Sequence, residues 1–222
     1  MRIQIIETNK NHYDPTNFNS LKEICDVWVS EYGAEKLDWV HAETINNSCD
    51  VFIQPLSSTE VQIGFVLDAS KVLSRNNPIH WVNITVLDTA MMDALTQILL
   101  VTIGMNFIPS VSGSFSVDWA DVRTVLGHGS IAYCLQFDWN TPQQAIAQFK
   151  EATSQLPQPV DVVSCAMLLN QGLRIAHTYE NIQSLMSAIV IPADCLTITN
   201  MTSSRQIPKT NLLMFVCKNK VK

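Results

Sequence analysis

Ser114-Phe-Ser-Val-Asp-Trp-Ala-Asp-Val-Arg-Thr-Val-Leu126 is the stretch on which the fold of this chain turns. Asp118 stands where a helix N-cap belongs, because a short side chain with an acceptor oxygen can take an orphan N–H of the first turn. Asp121 follows three residues on, where an acid favours the positive end of the helix dipole. The spacing predicts a short helix from Asp118 to Leu126. The segment from Asn106 to Ser116 reads as a loop containing Pro109 and Gly113, with Ser110, Ser112, Ser114 and Ser116 making it polar. Gly127-His-Gly129 follows the helix and exposes His128 near that loop.

Downstream, the pattern alternates between strand and helix periods. Ser130 to Phe137 reads as a strand. Thr141 to Leu156 reads as an amphipathic helix with Ala145, Ile146, Phe149, Ala152 and Leu156 on one face. Val160 to Leu169 is an apolar strand, and Thr178 to Ile189 a helix. Cys195 to Met201 and Asn211 to Cys217 are strands on either side of a polar turn, Thr202 to Thr210, which suits an antiparallel hairpin.

Upstream, Asp88 opens a long helix that runs out near Gly104. It is apolar nearly all round, so burial on most sides is expected. Before it, Arg2 to Thr8, Val51 to Pro55, Glu60 to Leu67 and His80 to Leu87 read as strands. Asn9 to Asn19 reads as a loop, and Ser20-Leu-Lys-Glu23 as a capping box. From there Leu21, Ile24, Cys25, Trp28, Val29 and Tyr32 share one helical face, and Gly33 marks a stop. Ala69 to Arg75 is a further short helical piece. The fold class is α/β with an α+β C-terminal unit: a small α/β unit over residues 1–87, a central helix and its exit over 88–108, and a mixed-sheet unit over 109–222.

The 222 residues are 47% hydrophobic and 15% charged, enough apolar material for a buried core. A net charge of -6 argues against nucleic acid as a partner. The opening MRIQIIETNK turns polar too quickly for a signal peptide, and no apolar run is long enough to span a bilayer comfortably, so a cytoplasmic protein is expected. Cysteines 25, 49, 134, 165, 195 and 217 form no CxxC pair and read as buried small hydrophobes rather than a zinc site or a disulfide framework. His12, His41, His80, His128 and His177 are dispersed, so no metal is expected. No Ser-His-Asp spacing supports a hydrolase. Trp28, Trp39, Trp81 and Trp139 default to core packing. Trp119, between two aspartates, is the candidate to anchor a partner surface.

The stretch from Gly113 to Val125 resembles the acidic-loop signature of the C-terminal, polymerisation and GTPase-activating half of the FtsZ/tubulin family. That signature is a G-x-x-N-x-D-x-x-D loop followed by V-R-T/K-V-M. Gly113, Asp118, Asp121, Val122, Arg123, Thr124 and Val125 match, while Ser116 replaces the usual Asn. The element order from Asp88 to Cys217 agrees with the family's, and Gly172-Leu-Arg-Ile175 resembles the loop before its last helix. The resemblance covers about 130 residues. It implies that Ser116, Asp118 and Asp121 descend from a loop that completes a neighbour's GTPase site, and that Gly113, Trp119, Arg123 and His128 border the same interface.

The departure from the family lies in the first 103 residues, which contain only Gly33 and Gly64. Phosphate-binding loops need clustered glycines so that backbone N–H groups can approach the phosphates. GTP binding in the family's manner is therefore not expected, and no cofactor is. The expectation is an FtsZ/tubulin-like protein without its own GTP site, acting as a binding or regulatory partner of a filament built from a homologue or from itself, and not as an enzyme. The alternatives are a cryptic FtsZ-like GTPase, or a structural or small-ligand module that has lost polymer binding. Asp118 and Asp121 are also accounted for by helix capping alone.

Overall fold

The computed structural model describes residues 2–6, 23, 38–42, 44–45, 48–67, 78–88, 94–104, 117–137, 141–154, 156, 161–170, 184, 187, 194–202 and 211–218. The strands are β1 (Arg2–Ile6), β2 (Asp38–Ala42), β3 (Val51–Pro55), β4 (Glu60–Phe65), β5 (His80–Val86), β6 (Ile131–Phe137), β7 (Val162–Asn170), β8 (Leu196–Thr202) and β9 (Asn211–Cys217). They form one mixed nine-stranded sheet in the order β2-β1-β3-β4-β5-β6-β9-β7-β8. The helices are α1 (Ala94–Leu99), continued as a π-turn over Leu100–Gly104, then α2 (Trp119–Leu126) and α3 (Pro142–Ser154). The chain is α/β.

The expected helices over 20–32 and 178–189 lie outside the described residues, except that Glu23, Ser184 and Ser187 are helical. The helical piece over 69–75, the loop over 106–116 and the segment 172–175 also lie outside them. β2 adds a strand that the sequence pattern did not reveal.

The strands carry their burial in their alternation. Ile3 and Ile5, Val51 and Ile53, Val61, Ile63 and Phe65, and Val82, Ile84 and Val86 all belong to one core. On β5 the intervening Asn83 faces solvent, as a period of two demands. Ala132, Cys134, Leu212, Met214, Val216, Ala166 and Leu168 continue the same core across the second half of the sheet. Helix α1, the π-turn and α2 cover it, with Ile98, Leu99, Val101, Val122 and Val125 buried. On the opposite face Phe149 of α3 meets Phe215 edge-on, with ring centroids 5.7 Å apart, and Leu135, Met167, Leu169 and Leu213 fill a second core.

Two polar residues of the covering helix are buried with partners. Gln97 donates to the Asp88 carbonyl and accepts from the Cys134 thiol. Thr102 donates to the Ile98 carbonyl at 2.6 Å. A buried amide or hydroxyl without such bonds would be costly.

The expected hairpin of Cys195 to Met201 with Asn211 to Cys217 is not formed. β9 lies between β6 and β7, antiparallel to both, and β8 pairs parallel with β7. The composition explains the difference. Asn211–Cys217 is buried at all seven positions, and a strand buried on both faces belongs in the interior of a sheet. Leu196–Thr202 carries Thr at 197, 199 and 202 and sits at the edge, where one row of backbone groups needs no strand partner. A parallel pair needs a crossover of roughly a dozen residues or more, and residues 171–195 supply it.

The two halves of the sheet meet at a parallel pairing of β5 with β6, Asn83 to Val86 against Ile131 to Cys134. Helix α2 packs against β7, β8 and the π-turn, and the chain leaves it directly into β6.

Candidate functional site at helix α2

Asp118 caps α2 with extended backbone, φ -116° and ψ 176°. Its Oδ1 accepts from the Asp121 backbone N–H at 3.0 Å, and Asp121 Oδ2 accepts from the Asp118 N–H at 3.0 Å. This is a reciprocal capping box, satisfying two donors that the helix itself cannot. Each carboxylate has one oxygen so engaged, and both residues are exposed.

Trp119 does not stand free. Its ring meets the fully buried Phe65 edge-on, centroids 5.8 Å apart with planes at 87°, and it is half-buried against the main core. Phe65 also meets His80 edge-on at 5.4 Å. Along α2, Val122, Val125 and Leu126 point into the core. Ser164 of β7 donates to the Val125 carbonyl at 2.7 Å in a buried contact, tying the helix end to the sheet.

The C-terminal end closes on Gly127, whose N–H donates to the Arg123 carbonyl at 2.8 Å. His128 is exposed, and its Nδ1 lies 2.7 Å from the Thr124 carbonyl oxygen. A carbonyl can only accept, so Nδ1 carries the proton. Gly129 lies so close to β9 that a Cβ there would come within 2.6 Å of the Cys217 carbonyl oxygen. His80 Nε2 lies 2.9 Å from the Gly129 carbonyl oxygen. Leu67, Arg123, Thr124, Gly127 and His128 line an open cleft of about 250 Å³.

Of the residues singled out in the sequence, Asp118, Trp119, Asp121, Arg123 and His128 thus lie along one short helix and its exit. The acids cap one end, and Arg123 and His128 border a cleft at the other. Gly113 and Ser116 lie outside the described residues. Leu67 and Phe65 were not singled out. They lie more than fifty residues before α2 in sequence, and nothing local marks them as its neighbours.

Three buried cysteines are inert in character. Burial pushes the Cys134 and Cys165 thiols up to about 12 and Cys217 to about 11, which disfavours the nucleophilic thiolate. Among the described residues no group of three or more His, Cys, Asp or Glu could hold a metal ion, and no helix is long and apolar enough to cross a membrane. Gly64, one of the two glycines in the first 103 residues, is an interior strand residue. A Cβ there would lie 2.6 Å from the Trp81 ring, so the missing side chain makes room for that ring.

No protein-family model matches the chain, and no curated protein does. Among solved structures, an empty FtsZ dimer from M. jannaschii is similar with a TM-score of 0.40 and 13% identity, over 56% of this chain and 38% of that one. A tryptophan-to-tyrosine mutant of FtsZ from M. jannaschii is similar with a TM-score of 0.36 and 15% identity, over 57% of this chain and 37% of that one. The chain thus spans little more than a third of the length of these structures. At these scores the likeness is partial and says nothing of ligand, activity or partner.

Proposed function

We propose that this chain is a non-enzymatic partner of an FtsZ/tubulin-type filament, cytoplasmic and acting in cell division or partitioning. It docks through the α2 N-terminal end and has no GTP site of its own. The observation that carries the reading is the exposed Asp118–Asp121 pair. Each acid has one carboxylate oxygen bound by the other's backbone N–H, and both residues are exposed. The same two residues fall on the acidic positions of the loop signature, so the pair is preorganised for a contact with a neighbouring subunit. In this reading residues 1–87 replace or abbreviate a nucleotide domain, residues 88–108 correspond to the central helix and its exit, and residues 109–222 keep the docking unit.

The test is co-sedimentation with an FtsZ-type polymer assembled in GTP. Binding is expected, and it should weaken in the Asp118→Asn/Asp121→Asn double variant, which keeps capping oxygens and removes both charges. No co-sedimentation with or without GTP would refute docking. A saturable calorimetric signal with GTP alone would refute the absence of a nucleotide site.

A further inference from the structure

We propose that the cleft at the C-terminal end of α2 is a second interaction surface, which takes a short acidic segment of a partner protein with an apolar residue beside its carboxylate. The inference departs from the expectation that Arg123 and His128 border the filament interface, and it is tested apart from filament docking because the cleft lies at the opposite end of the helix from the acids.

Arg123 is half-buried and has no ion pair or side-chain hydrogen bond among the described residues. Among the described residues no carboxylate lines the cleft. In a chain of net charge -6, an arginine with no acid beside it among the described residues is a local exception. A guanidinium is a planar fork of donors that matches a carboxylate bidentately.

The other lining groups point to a peptide rather than a simple anion. The Thr124 hydroxyl donates to the Ala120 carbonyl at 2.7 Å, so its lone pairs remain acceptors. The cleft therefore offers a donor fork and an acceptor. A carboxylate flanked by a backbone N–H satisfies both, whereas a phosphate, rich in acceptors, satisfies chiefly the fork. Leu67 is 51% exposed, the most exposed of the large hydrophobics among the described residues, and gives the segment's apolar side chain a surface to cover.

Gly127 keeps the cleft open. A Cβ there would lie 2.8 Å from Leu67 Cδ2, and its backbone, at φ -70° and ψ -12°, accepts any residue. Gly127→Ala should therefore fold while pushing the movable end of Leu67 into the cleft.

The test is fluorescence anisotropy at low ionic strength with a fluorescein-labelled Ser-Glu-Leu-Glu-Leu-Gly peptide and a control carrying Lys for Glu. Saturable binding of the acidic peptide alone is expected. Arg123→Gln should weaken it about tenfold or more, the usual loss for a charge-assisted bond, and Gly127→Ala should weaken it without changing the thermal midpoint by more than a degree or two. No saturation at millimolar protein, or equal affinity in Arg123→Gln, would overturn the proposal. Displacement by inorganic phosphate at matching affinity would assign the cleft to free anions instead. A concentration-dependent dimer abolished by Arg123→Gln would assign it to a second copy of the chain, and that too would overturn it. The assay needs no polymer, so its failure and a failure of filament docking are separate results.

Discussion

Replacing Asp118 separates capping from contact. Asp118→Ala removes the acceptor for the Asp121 N–H, now held at 3.0 Å. Loss of an N-cap side chain costs about 1 kcal/mol. For a domain of this size that corresponds to a fall in Tm of about 2–4 °C. Asp118→Asn keeps an oxygen at the same place, and asparagine caps about as well as aspartate. Its Tm should therefore stay within about a degree of the parent, apart from a small dipole term of about 0.3–1 kcal/mol that salt screens. Asp121→Ala removes the reciprocal bond to the Asp118 N–H, also 3.0 Å. The double alanine variant should cost less than the sum of the two singles, because each bond helps to hold the other's geometry. The measurement is thermal unfolding followed by far-UV circular dichroism at two ionic strengths. An Asp118→Ala variant as stable as the parent would refute the capping role, as would an Asp118→Asn variant that falls as far as the alanine. If both asparagine variants keep their stability and lose filament binding, the carboxylate charges act in docking and the capping oxygens in the fold.

Gly129→Ala should destabilise by about 1–3 kcal/mol, since the new Cβ would meet the Cys217 backbone 2.6 Å away in the sheet interior. Gly64→Ala should destabilise as well, because its Cβ would meet the Trp81 ring at 2.6 Å and Ile79 Cγ2 at 2.8 Å; a urea titration that leaves either variant as stable as the parent would refute the packing described. The buried thiols of Cys134 and Cys165 hold their protons to about 12 against an ordinary value of 9.0, so above pH 9 the unfolded chain binds fewer protons than the folded one. Stability is then full below pH 9 and falls as pH rises toward 12, by up to roughly 1.4 kcal/mol per unit and thiol; a urea midpoint unchanged between pH 8 and 10.5 would count against it. In hydrogen exchange the amides of Asn211–Cys217, paired on both sides, should outlast those of Leu196–Thr202 at the edge, and equal protection would contradict the strand order.

How far the sequence reveals this fold depends on the distance over which each feature is decided. The α2 cap is decided within four residues, and Asp118 with Asp121 announced it. Strands β6, β7 and β9 and helix α3 are decided by local periodicity, and their expected and observed spans agree within a few residues. The neighbour of β9 is decided by the whole sheet. The polar turn between the two strands suggested a hairpin with β8, and the fully apolar run from Leu212 to Cys217 was the available sign that β9 needed a strand on each side. β2 is a five-residue edge strand, and five residues give a period of two little room to declare itself. Trp119 shows the same limit at the site. Its place between two acids suggested an exposed anchor, and the ring it meets belongs to Phe65, in another strand.

What makes α2 a reasonable place for function is how it is fastened. Trp119 ties its first turn to β4 through Phe65, and Ser164 ties its last turn to β7 at 2.7 Å. Directly after it, the Gly129 carbonyl lies 2.9 Å from His80 of β5, and the Asn83 N–H donates to the Ser130 carbonyl at 2.9 Å. The helix is thus clamped to strands from both halves of the sheet, close to the β5–β6 pairing that joins them. A short helix of eight residues would not hold its shape alone. Held at both ends by the core, it carries exposed side chains whose positions are set by the sheet rather than by a loop, and rigid placement is what recognition requires. The acids and the arginine lie at opposite ends of this clamped element, so a partner at either end meets groups already in place and need not order them on binding.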